Sequence, residues 1–392
     1  MKFRIALLAA LVAALAVAAG CGGDDSANTA APTPSETLPT SIGTGEGALN
    51  LIAWEGYTED GSSDPKVDWV HPFEQQSGCK VKAKYAGSSD EMVTLMKTGD
   101  YDGVSASGDA SNRLIAAGDV VEINPDLIPD FKDISPALQS PPHNTVDGKH
   151  YGVSYDWGPN FLMYNTDEVT TAPDSWSVVF DGTSNKGKTT AYGYAIYIAD
   201  AALYLRATQP DLGITDPYEL TPDQLDAAVE LLKTQHGQIG KYWGTYGDEI
   251  QFFKQGDVTI GQAWPYQVNT LKADGLPIES VLPKEGATGW ADTWMMSSQA
   301  KHPNCMLKWM AYATTPEVQA AVASWFGISP ANVKACDILG AQFCEDYHVN
   351  DQTYFDTVEF WKTPLADCGD DRGQTCTDFS VWVQKWAEIT GA

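Results

Sequence analysis

Aromatic and acidic residues occur together at several points along this chain, which holds 13 Trp and 17 Tyr in 392 residues. The clusters are Trp54-Glu55-Gly56-Tyr57, Tyr155-Asp156-Trp157, Tyr192-Gly193-Tyr194, Trp264-Pro265-Tyr266 and Trp290-Ala291-Asp292. An aromatic face attracts positive charge and a carboxylate pairs with it, so the combination suits an organic cation. Any single ring would serve equally well as core filling. Five clusters at the ends of β-like runs, three with a carboxylate, point instead to a site, because ligands of open α/β sheets bind outside the carboxyl ends of strands.

Other chemistries lack their residues. There is no Gly-x-Ser-x-Gly and no P-loop, and Gly43-x-Gly45-x-Gly47 precedes the first strand, the wrong context for a dinucleotide. The six His are scattered without HExxH, and no Cys-x-x-Cys occurs, so no metal and no cofactor are expected. A secreted, lipid-anchored hydrolase is the alternative of another class, but 52 acids make any chosen carboxylate pair uninformative. The reading is a binding protein rather than an enzyme. With 24 Lys+Arg the formal charge is −28, which repels nucleic acid and anionic membrane surfaces alike.

The N-terminus reads as a leader. Residues 1–20 combine basic Lys2 and Arg4 with a short apolar run that ends in small residues before Cys21. Ala18-Ala19-Gly20-Cys21 resembles a bacterial lipobox, with Cys21 lipidated and holding the protein to the outside of the cell membrane. Lipidation of Cys21 leaves six Cys, which suits three disulfides in an oxidising compartment. Fifteen pairings are open; Cys336–Cys344 and Cys368–Cys376, closing short loops, with Cys79–Cys305 as the long bridge, are the economical set. Residues 21–47 are rich in Gly, Ser, Thr, Pro and Asp and are expected to form a flexible tether.

The clusters need elements to carry them. Strands are expected at 48–54, 79–85, 101–107, 257–264 and 290–298. Helices are expected at 64–78, 89–97 and 109–118, from Thr221-Pro222 to Gly237, across 306–326 with a break near Thr315-Pro316, and at 379–389. Strand–helix alternation argues an α/β fold with parallel sheets covered on both faces, and the length suits two such lobes.

Read in order, these stretches resemble the spermidine/putrescine group of extracytoplasmic solute-binding proteins of ABC transporters. The resemblance rests on Trp54-Glu55-Gly56-Tyr57, Phe73 to Gly78, Ser88-Ser89-Asp90-Glu91-Met92, Tyr101-Asp102, Tyr155-x-Trp157-Gly158, Pro173-Asp174-Ser175-Trp176, and Leu282-Pro283-Lys284-Glu285-Gly286 leading into Trp290-Ala291-Asp292. It implies a type II periplasmic-binding-protein fold: two Rossmann-like lobes, two crossovers and a ligand cleft. Lobe 1 would be 48–156 plus 291–335, and lobe 2 would be 157–290 plus 336–392. The second strand and the helix of Cys305 would both lie in lobe 1, consistent with the long bridge.

The implied ligand residues are Trp54, Tyr57, Ser107, Trp157, Trp264, Trp290 and Asp292, with Asp109 added where the family has an aromatic residue, and the implied ligand is a small organic cation such as spermidine or putrescine. The implied partners are an ABC permease and ATPase, and the protein is expected to be a monomer. The family's first-loop acid falls at Gly56, and its acidic pair in lobe 2 falls near Tyr192-Gly193-Tyr194, where there is no carboxylate. A quaternary ammonium, a sugar or ferric iron therefore stay open as ligands of the same fold.

Overall fold

The computed structural model describes residues 38–181, 185–368 and 375–391. The leader, Cys21 and residues 21–37 of the expected tether lie outside them. In chain order the strands are β1 (Ala48–Ala53), β2 (Lys80–Tyr85), β3 (Gly103–Ser107), β4 (Thr145–Val146), β5 (Lys149–His150), β6 (Gly152–Pro159), β7 (Phe161–Asn165), β8 (Thr189–Tyr192), β9 (Lys241–Trp243), β10 (Ile260–Ala263), β11 (Ile278–Val281), β12 (Ala287–Met296), β13 (Ser329–Pro330) and β14 (Val358–Phe360).

The apolar run of β1 is buried at Leu49, Leu51, Ile52 and Ala53, because this strand lies between parallel β2 and β3 with both faces covered. At the sheet edge, β2 exposes Lys80, Lys82 and Lys84, charges that discourage pairing with another chain. Helices Val70–Ser77, Ser89–Met96 and Gly108–Ala117 alternate with these strands. Ser88 Oγ caps the second by accepting from Glu91 N at 3.2 Å, and Gly78 and Gly118 end the first and third at φ 73° and 71°. The first helix begins at Val70 rather than Asp64. The Asp64 and Asp68 side chains accept from the backbone N–H of Lys66 and His71, and these local turns compete with helix.

The first sheet has the order β13-β6-β12-β3-β1-β2, with β14 also paired to β12; the second has the order β11-β7-β10-β8-β9. The chain passes from the first sheet to the second between β6 and β7, at Asn160, and returns between β11 and β12. Asn160 Nδ2 donates to Thr288 Oγ1 at 2.6 Å and Asn160 N to the Thr288 carbonyl at 2.8 Å, so the two crossovers are tied where they pass. Of residues 336–392, β14 joins the first sheet, while the closing helix Phe379–Thr390 packs on helix Pro222–His236 beside the second.

Part of the expected tether is ordered against the body of the protein. Residues 38–47 lie against the first lobe, because Glu46 accepts from Asn304 N and Cys305 N at the start of helix Pro303–Ala313, and Gly43 N donates to Asn304 Oδ1 at 2.7 Å. Burial raises the Glu46 carboxyl, but the hydrogen bonds from Cys305 and Asn304 outweigh it and hold it below its usual range. The disulfides are Cys79–Cys305, Cys336–Cys344 and Cys368–Cys376, the set that the loop lengths favoured. Among the described residues no helix is long and apolar enough to cross a membrane.

Candidate functional site

Asp292 sits at the middle of the first sheet. Its register partners are Ser107 on β3 and Asp156 on β6, and all three are buried. Residues directly opposite in an antiparallel pair share a face, so two carboxyls and a hydroxyl converge there. Ser107 Oγ donates to Asp292 Oδ1 at 2.5 Å. The Tyr57 hydroxyl lies 2.7 Å from Asp292 Oδ2 and 3.0 Å from Asp156 Oδ1. One phenolic proton cannot serve two carboxylates, so the second link needs a proton on a carboxyl. Burial, then the charge of Asp292, push the Asp156 carboxyl well above its ordinary range; burial also raises Asp292, against the hydrogen bonds from Ser107 and Tyr57. The consistent arrangement has protonated Asp156 donating to Tyr57 and Tyr57 donating to ionised Asp292.

The sequence dictates this placement locally. Strand periodicity puts Trp290 on the same face as Asp292. Gly158 stands opposite Trp290 in the register, and a β-carbon there would lie 2.7 Å from Trp290 Cζ2, so only glycine lets the indole lie across β6. Gly56 has φ 92°, and Phe326 Cδ2 would lie 2.8 Å from its β-carbon. The family's first-loop acid therefore has no room at position 56, where an aromatic ring takes the space.

Trp54, Tyr57, Ser107, Trp264, Trp290 and Asp292 line one narrow cavity of about 30 Å³, room for one or two waters. Glu55, Tyr246, Phe326 and Trp361 complete its wall. Trp54 and Trp361 each stand edge-on to Trp264, at 6.2 and 6.3 Å between ring centroids, and Phe326 packs on Tyr57 at 5.3 Å. Glu55 is exposed at the rim and hydrogen-bonded to Tyr246, whose hydroxyl is pushed up by burial and then by that carboxylate. No Lys, Arg or His is among the residues lining the cavity.

Two expected residues fall elsewhere. Trp157 is opposite Ala291, on the other face of β6, and packs against Phe355 and Phe360 beside a separate cavity. Its neighbour Asp156 has the cleft-side position. Asp109 is buried beyond the cavity wall, where it accepts from Ser89 Oγ at 2.9 Å and faces Arg113 at 3.8 Å. Sequence reasoning missed Tyr246, Phe326, Trp361 and Asp156. Only Asp156 had a local signal, since it stands in one of the aromatic clusters.

The two strand orders and the paired crossovers define a type II periplasmic-binding-protein fold, two lobes about a cleft. A model of the family described as bacterial extracellular solute-binding protein matches residues 68–349, and the chain belongs to that family. It is 23% identical over 360 residues to the spermidine/putrescine-binding periplasmic protein of Escherichia coli, covering 86% of this chain and 95% of the relative. It is 25% identical over 288 residues to the putrescine/agmatine-binding protein of Pseudomonas aeruginosa, covering 70% and 77%. The solved structure described as a putative spermidine/putrescine ABC transporter from Listeria monocytogenes matches with a TM-score of 0.71 at 19% identity, over 88% of this chain and 98% of that one.

Proposed function

We propose that this protein is the extracytoplasmic receptor of an ABC importer, anchored by lipidated Cys21, and that it encloses a small organic cation between its lobes. Lobe 1 is then 48–156 with 291–335, lobe 2 is 157–290 with 336–392 except β14, which pairs with β12 in the first sheet, and a permease and ATPase take up the released ligand. The observation that carries the reading is a buried carboxylate, Asp292, in a cavity walled by aromatic rings with no basic residue among its lining. In such a site a carboxylate is the strongest attraction for a cation, and each ring face adds about 0.5–2 kcal/mol. The relatives named for spermidine and putrescine bind members of the same broad class. Trp54, Tyr57, Ser107, Trp264, Trp290 and Asp292 are the ligand residues of this reading, with Trp361 and Phe326 added.

A thermal-shift panel of amines, quaternary ammonium compounds, sugars and ferric iron tests it. Ligand at about 100 times its dissociation constant adds about 2.7 kcal/mol of stability, so a shift with the organic cations alone, and not with sugars or ferric iron, is expected. Asp292→Asn keeps the shape and removes the charge. It should weaken binding of the responsive cation by at least about tenfold, or 1.4 kcal/mol, and an unchanged affinity for that cation would remove Asp292 from the site. Cys21→Ala should release the protein from cells into the medium; retention at the membrane would refute the anchor.

A further inference from the structure

The lobes meet ring against ring across the cleft. Trp54 stands edge-on to Trp264 at 6.2 Å, and Phe326 stacks on Tyr266 at 4.7 Å between centroids. What remains beside Asp292 is about 30 Å³. A chain of methylenes has no room there, so a side chain already fills the space that a longer ligand would need.

Trp361 is that side chain. It directly follows β14, and its ring lies flat on Tyr192, at 13° and 5.6 Å, and edge-on to Trp264. It covers Tyr192, the last residue of β8, which does not line the cavity. Tyr192 instead lines a smaller pocket together with Asp109. The stacked pair therefore has the cavity of Asp292 on one side and the pocket of Asp109 on the other.

The segment that carries the ring is held on both sides. Trp361 N donates to the Gly289 carbonyl at 2.8 Å, and Thr363 Oγ1 donates to the Asp109 carbonyl at 2.6 Å. Lys362 Nζ lies 2.6 Å from both Asp216 and Glu219 of the second lobe. A β-carbon at Gly108 would run into the Trp361 carbonyl, so glycine there lets the segment seat closely on the start of helix Gly108–Ala117.

A diamine needs space for its chain and a partner for its second ammonium. Beyond Asp292 it meets the Trp361 indole. The remaining carboxylate on the cavity wall, Glu55, is exposed at the rim and hydrogen-bonded to Tyr246, and an exposed carboxylate holds an ammonium weakly. Resting on the cation reading above, we infer that Trp361 determines specificity. It fills the far half of a diamine's place, so the receptor takes a cation with one ammonium head and a short body.

Calorimetric titration of the whole protein tests this with ethylamine, n-butylamine, putrescine and spermidine. n-Butylamine has putrescine's carbon chain without its second head, so it reads length alone. One methylene in a closed apolar pocket is worth about tenfold or more, so ethylamine should bind at least about tenfold more tightly than the other three. Trp361→Ala opens the space and bares the Tyr192 ring face to an ammonium. It should raise the affinity for n-butylamine and putrescine, relative to ethylamine, by at least about tenfold. Trp361→Leu opens less space and should give a smaller gain in the same direction, and it replaces the alanine variant if that one does not melt cooperatively. n-Butylamine or putrescine binding to the parent as tightly as ethylamine would overturn the inference and leave the cation reading standing. An unchanged ranking in a variant that melts cooperatively would overturn it as well. If no ammonium compound binds parent or variant, both readings fall.

Discussion

Asp156, Tyr57 and Asp292 are hydrogen-bonded as one unit, and on the proposed reading this would make capture of a cation sensitive to acid. The groups facing Asp292 are Ser107 from β3, Tyr57 and Asp156 from β6, with the charge of Asp109 further off. Asp156 already holds its proton, and burial pushes the Asp292 carboxyl up to about 7, against the hydrogen bonds from Ser107 and Tyr57, so acidification protonates Asp292 and removes the charge that a cation would need. Affinity should therefore be lower at pH 5 than at pH 8, and binding should release protons, read as a dependence of calorimetric heat on buffer. Equal affinity at both values would mean that the pair does not titrate with the ligand. Gly158 offers a second test at this scale. In Gly158→Ala the new methyl meets the Trp290 ring at 2.7 Å, and overpacking of this kind costs about 1–3 kcal/mol. The variant should melt lower and bind more weakly; unchanged affinity would mean that the position of Trp290 does not matter to the ligand.

At the scale of elements, the hinge has its own buried acid. Asp200, early in helix Ile198–Thr208, accepts from Thr288 Oγ1 at 2.7 Å and Gln262 Nε2 at 2.6 Å, joining the return crossover to β10. Burial pushes its carboxyl up to about 7, against the hydrogen bond from Thr288. The folded protein thus keeps a proton that the unfolded chain has shed above about pH 4. The contribution of this group to stability is fullest below that value and falls as pH rises to about 7. Asp200→Asn removes the titration and keeps the acceptor, so its melting temperature relative to the parent should be higher at pH 8 than at pH 5. A difference independent of pH would show that Asp200 does not ionise there.

Elements like this helix also show what the sequence made legible. β1, β2, β3 and the Thr221-capped helix carry their own periodicity and caps, and were readable. The face of β6 was not. Adjacent strand residues point oppositely, and the irregularity between Asp292 and Thr293, which leaves Tyr155 unpaired, resets the alternation. The aromatic cluster therefore points to Trp157, whereas the register sets Asp156 opposite Asp292. Phe326, Trp361 and Tyr246 reach the cavity only through tertiary packing, and no local spacing marks them.

At the scale of the whole molecule, Cys79–Cys305 ties the start of β2 to helix Pro303–Ala313 across 226 residues of sequence. Replacing both with Ala should lower stability by about 2–5 kcal/mol, measurable by denaturant melts; an unaltered midpoint would show that packing alone holds this corner. The lobes are joined at more than the two tied crossovers. The chain crosses again between β14 on the first sheet and the closing helix on the second, and Trp361, a wall of the cavity, directly follows β14. Two adjacent straps alone would let the lobes both bend and twist. A third strap, with Cys368 joined to Cys376, is expected to resist torsion and leave bending as the single coordinate. Opening and closing should then relax with one rate constant in stopped-flow tryptophan fluorescence, and the ligand's escape should be timed by that one motion.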